Sequence, residues 1–90
     1  MKTNLSKSYF QISEQNIISR GIVSGHKYIV YYINQSVNVN TNFKVTDKGM
    51  YDCCAYYDRK LCNTISEFEK MGKEKIESQA YNSWMDGVHS

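Results

Sequence analysis

The sequence contains no proline and only five glycines in 90 residues. Loop boundaries must therefore be read from Gly, Asn, Asp and Ser. There is no long apolar run either. The longest, Tyr28 to Ile33, falls far short of the roughly 20 residues that span a bilayer. No apolar stretch of signal-peptide length follows the opening Met1-Lys2-Thr3-Asn4-Leu5, so a cytoplasmic protein is expected, in the host cytoplasm if the source is viral. Net charge is only +2, too little for the dense basic patch that grips duplex nucleic acid. The three cysteines are odd in number, as in a reducing compartment with free thiols. No glycine-rich phosphate loop is present, because the five glycines are isolated from one another.

What the chain does have is enough for one small domain. Hydrophobic residues make up 41% and charged residues 22%, ordinary for a folded chain. A single modest core follows, and a deep enclosed cavity is hard to build from it. Eight tyrosines stand out. With eight asparagines, eight isoleucines and nine lysines they far outnumber the five glycines, two alanines and two arginines. Codons of the first group are AT-rich, which associates the chain with AT-rich genomes such as those of many bacteriophages and some low-GC bacteria.

The residue pattern gives an α+β reading, a mostly antiparallel four- or five-stranded sheet followed by a C-terminal helix packed on one face. Residues 1–7 read as loosely ordered, 8–62 as β-rich and 64–86 as helical. Tyr9-Phe10-Gln11-Ile12 is a short strand signal, Ser13–Asn16 a turn, and Ile17–Val23 a branched-rich strand in which Gly21 suggests a bulge. Ser24-Gly25-His26 turns the chain into Lys27–Ile33, where continuous aromatic and branched residues fit a central strand covered on both faces. Asn34–Asn42 reads as a loop or a polar edge strand around Val37 and Val39. Phe43–Thr46 and Met50–Tyr57 form a hairpin across Asp47-Lys48-Gly49. Tyr57–Lys60 reads as a turn and Leu61-Cys62 as a brief return strand.

The period then changes. Thr64-x-x-Glu67 matches a capping box. Ile65, Phe68, Gly72, Ile76, Ala80 and Trp84 recur at helical spacing and form one apolar stripe. Gly72 lies on that stripe and reads as a close approach of helix to sheet, or else as a break into two helices. Trp84 is expected to anchor the helix, and Asp86-Gly87 to end it.

No catalytic constellation emerges, and no cofactor or metal is expected. Cys53 and Cys54 are adjacent and point to opposite faces of a strand; with Cys62, His26 and His89 they lack metal-ligand spacing. They read as small buried apolar residues, and His26 as a solvated turn residue. Asp47, Asp52 and Asp58 read as turn and edge charges. The tyrosines are the main lead. Tyr28 and Tyr32 share one face of the central strand and Tyr31 the other; Tyr51 and Tyr57 share a face of the next hairpin, opposite Tyr56. A single helix covers one side of a sheet, so the other side is expected to expose aromatic rings as a binding face. Lys44, Lys48 and Arg59, with Lys27 and Lys60, would border it. The expected function is a non-enzymatic binding module with a host protein as partner, for instance a phage accessory protein that inhibits a host factor or defence system. A small RNA- or single-stranded-DNA-binding protein is the alternative. A homodimer fits the same face; no membrane association is expected.

Overall fold

The computed structural model describes residues 9–54 and 57–89, with side-chain surroundings for 10–54 and 57–87. Among the described residues seven strands come first: β1 (Tyr9–Ile12), β2 (Ile17–Val23), β3 (His26–Ile33), β4 (Ser36–Asn40), β5 (Phe43–Val45), β6 (Tyr51–Cys54) and β7 (Arg59–Cys62). Two helices follow, α1 (Ile65–Met71) and α2 (Lys73–His89). The α+β class, antiparallel pairing and helices on one sheet face agree with the sequence reading. That reading lacks the division of the strands into two sheets, one of three in the order β1-β6-β5 and one of four in the order β2-β3-β4-β7.

Three layers result. On one face of the four-stranded sheet, Tyr28 and Val30 of β3, Val37 and Val39 of β4, and Cys62 of β7 pack against Phe68, Ile76 and Ala80 of the helices. On its other face, Ile29 and Tyr31 meet Ile12, Tyr51 and Cys53 of the three-stranded sheet. The unalternating run at Tyr28–Tyr31 is explained by this arrangement, since β3 is apolar on both faces and all four residues are buried. Burying a side chain such as Phe68 or Ile76 contributes about 1.5–3 kcal/mol.

The turns follow from local chemistry. Ser24 and Gly25 have φ of 51° and 80°, and Asn34 and Gln35 have φ of 52° and 63°. Both pairs form the two-residue hairpin turns whose twist matches that of the flanking strands. The second turn places Asn34–Asn42 differently from the expected loop or edge. β4 is an inner strand between β3 and β7, and Asn40 is fully buried. Its amide is satisfied there: Nδ2 donates to the Cys54 carbonyl at 3.0 Å, and Oδ1 accepts from the Asn42 N–H at 2.8 Å.

The irregularity in β2 lies between Ile17 and Ser19 rather than at Gly21. Gly21 serves another purpose. A Cβ there would sit 2.9 Å from the Tyr28 hydroxyl oxygen, so its absence lets the Tyr28 ring lie over the strand.

The helix begins as its sequence predicts. Thr64 Oγ1 accepts from the Glu67 N–H at 3.1 Å, and Glu67 Oε1 accepts from the Asn63 N–H at 2.9 Å. The glutamate thus reaches one residue further back than in a standard capping box. Gly72 breaks the helix with φ 91° and ψ 152°, a region open essentially to glycine alone. No atom lies within 4 Å of a Cβ built there, so the close approach is replaced by the break. The Gly72 carbonyl accepts from Ile76 N–H at 3.2 Å and so starts α2. That helix continues past Asp86-Gly87 to His89. No helix among the described residues is long and apolar enough to cross a membrane.

Candidate functional site: the open edge of the four-stranded sheet

The expected tyrosine platform is not assembled, because the second sheet occupies the face that was to be left open. Tyr31 and Tyr51 are buried between the sheets, and Tyr28 is buried beneath the helices. Tyr32 is half-buried against the helix-side core. Tyr57 is half-buried, its ring close to Gly87 and its carbonyl accepting from Ser83 Oγ at 2.8 Å. Tyr56, residues 1–7 and the His89 side chain lie outside what is described. Lys44, Lys48, Lys27 and Lys60 are exposed, but none of Tyr28, Tyr31, Tyr32, Tyr51 and Tyr57 is exposed beside them. Arg59 is committed to an ion pair with Asp86, which ties β7 to α2.

The other sequence candidates fall out similarly. Cys53, Cys54 and Cys62 are all free and buried. Desolvation pushes the Cys53 thiol up to about 12, with Asp58 and Asp52 adding to the effect; a thiol so held is a poor nucleophile at neutral pH. Among the described residues no group of three His, Cys, Asp or Glu could hold a metal ion. His26 is half-buried rather than a solvated turn residue: its imidazole stacks on Trp84 with ring centroids 4.1 Å apart. Asp58 forms an arrangement that its spacing gave no means to foresee. Tyr31 Oη donates to its Oδ2, and Asn40 Nδ2 donates to its Oδ1.

The feature most open to a partner is the outer edge of β2. At seven residues it is the longest strand at the edge of either sheet, against four, three and four for β1, β5 and β7. Its hydrogen-bonding direction follows from the hairpin. Val23 and His26 flank the two-residue turn, and such a flanking pair exchanges both of its backbone hydrogen bonds. The bonding pairs then alternate along the ladder. Gly21 pairs inward with Tyr28, whereas Arg20 and Ile22 turn their N–H and C=O groups outward. Among the described residues no strand pairs with that side.

Edges of this kind are usually guarded by charge or proline. Here Arg20 supplies the one charge on β2, and it is drawn over the second sheet. Its Nη1 donates to Glu14 Oε2 at 2.6 Å and also to Tyr51 Oη, and its guanidinium carbon lies 5.9 Å from the Tyr51 ring centroid. Ile22 is left 64% exposed.

Two grooves flank the edge. One, of about 530 Å³, lies on the helix side and includes Gly21, Tyr28, Phe68, Gly72 and Ile76. The other, of about 270 Å³, lies on the opposite side and includes Ile22, Ile29, Phe43, Val45 and Tyr51. Val45 at its rim is 60% exposed. Successive side chains of a strand point to opposite faces. A strand laid along β2 would therefore direct its residues alternately into the two grooves. Hydrophobic alternation in sequence cannot disclose this site, since it depends on which strand ends a sheet.

Comparison of the chain with protein-family models, with curated proteins and with solved structures finds no match.

Proposed function

We propose that the protein is a non-enzymatic binding module that captures an extended segment of a partner protein as an added strand along β2. The observation that carries this reading is the seven-residue edge, paired by no strand among the described residues and set between two grooves of apolar and polar lining. Backbone bonding to Arg20 and Ile22 supplies affinity, and the alternating grooves supply selectivity for side chains. The occupant is an uncharged, β-branched or aromatic segment, matched to the exposed Ile22 and Val45. The AT-rich composition favours a host protein as its source, with inhibition of that protein as the consequence. The nucleic-acid alternative loses its main support, because stacking needs exposed rings and Tyr28, Tyr31 and Tyr51 are buried.

The test is selection of extended peptides from a random display library on the immobilised protein, followed by amide mapping of the selected peptides. Binders should perturb Arg20, Ile22 and Val45. Ile22→Pro should abolish binding yet leave the fold intact, because the lost N–H faces outward and bonds to no strand. Its stability should change by no more than about 1 kcal/mol. Binders that map elsewhere, or that bind Ile22→Pro unchanged, would refute the proposal.

A further inference from the structure

A second site, on another part of the surface, has a chemistry of its own. Phe10, Tyr31, Ile33, Asn34, Ser36, Asn38 and Asp58 enclose a pocket of about 370 Å³. Asp58 is half-buried in it and forms no salt bridge among the described residues. Among the described residues no lysine, arginine or histidine lines the pocket. A carboxylate removed from water without a counter-ion is costly, and burial holds the Asp58 carboxyl above its ordinary range even though Tyr31 and Asn40 donate to it.

Counting acceptors narrows the ligand. An ionised carboxylate offers about four lone-pair sites over its two oxygens. Tyr31 takes one on Oδ2 and Asn40 one on Oδ1, so each oxygen keeps capacity for one more donor. Two parallel N–H groups of a guanidinium match such a pair of oxygens, and a point-like ammonium does not. The rim adds acceptors. Asn38 Nδ2 is fixed by the Ser36 carbonyl at 3.3 Å and Ser36 Oγ at 3.2 Å, and no donor to its Oδ1 is found among the described residues. The Phe10 ring, half-buried and packed against the enclosed Tyr31 ring with centroids 6.0 Å apart, provides an aromatic wall of the kind that attracts a flat cation.

We propose that this pocket binds a guanidinium group, with the Asp58 carboxylate as its counter-ion, the Asn38 carbonyl as an added acceptor and the Phe10 ring as a wall. The site is independent of the β2 edge, and either can fail without the other. A guanidinium can arrive as a free small molecule or as an arginine side chain of a polypeptide, so both are tested.

The experiment is amide chemical-shift titration with methylguanidinium, with acetyl-glycyl-arginyl-glycinamide, and with ethylammonium as control. Both guanidinium probes should give saturable shifts at Phe10, Ser36, Asn38 and Asp58, and ethylammonium should bind at least ~10-fold more weakly. Binding of the peptide ~10-fold tighter than methylguanidinium identifies an arginine side chain as the natural ligand; equal binding identifies a free guanidinium compound. Asp58→Asn should weaken both by at least ~10-fold. Should that variant fail to fold, Asn38→Asp decides, because a second carboxylate at the half-exposed rim should tighten both probes by ~3-fold or more. No saturable shift at these residues, equal binding of ethylammonium, retained affinity in folded Asp58→Asn, or no gain in Asn38→Asp would overturn the proposal.

Discussion

Replacing Gly72 with alanine gives opposite signs for a broken and a continuous helix. In an unbroken helix, glycine to alanine stabilises by about 1 kcal/mol through helix propensity. Gly72 instead has φ 91° and ψ 152°, where a non-glycine residue costs about 1–3 kcal/mol. The smaller entropy of the unfolded alanine chain returns about 0.4–1 kcal/mol. No neighbouring atom lies within 4 Å of the new methyl group, so collision adds nothing. The net loss is about 0.5–2 kcal/mol. Escape into a straight helix is no remedy, since Phe68 on α1 and Ile76 on α2 are both buried in one core, and exposing either costs about 1.5–3 kcal/mol. Urea unfolding followed by Trp84 fluorescence and by helical circular dichroism measures the change. At about 4–8 °C per kcal/mol for a chain of this size, Gly72→Ala should lower Tm by about 2–16 °C. A rise in Tm would refute the reasoning and restore a continuous helix.

Further outcomes follow from buried or half-buried groups. The Asp58 carboxyl is held above its unfolded value, so the native state binds this proton more tightly than the unfolded state. Its contribution to stability is therefore fully present below the ordinary carboxylate pKa of about 4 and is lost as pH rises through the elevated folded value. In urea titrations from pH 4 to 7, Asp58→Asn should lose this component of the slope; an unchanged slope would contradict it. Trp84 is half-buried on His26 rather than enclosed in the core. Trp84→Ala should cost about 1.5–2.5 kcal/mol, roughly half the value for a fully buried ring, as measured by circular dichroism in urea.

The elements were legible where side-chain pattern alone decides them. Tyr28–Ile33 announced a strand buried on both faces, the T-x-x-E at Thr64 announced a helix start, and Gly25 and Gly49 marked turns with φ of 80° each. The layering was not legible, because it depends on which strands pair at long range. Nothing local at Phe10, Phe43 or Tyr51 distinguishes a separate sheet from an extension of the first. That single omission displaced the binding site: rings assigned to an open face are instead the packing between two sheets. Asn40 illustrates a second limit. Asparagine ordinarily marks loops, and its burial in an inner strand depends on the Cys54 carbonyl and Asp58, which lie 14 and 18 residues away in sequence. Gly72 shows a third, for a glycine on an apolar stripe looks the same in sequence whether it admits a neighbour or breaks the helix.

Residue-resolved amide hydrogen exchange of the free protein probes the β2 edge most directly. The account predicts rapid exchange at Arg20 and Ile22 beside slow exchange at Gly21 and Val23, the alternation of a strand bonded on one side only. Uniformly slow exchange through all four amides would mean that the edge is already paired, and would contradict it.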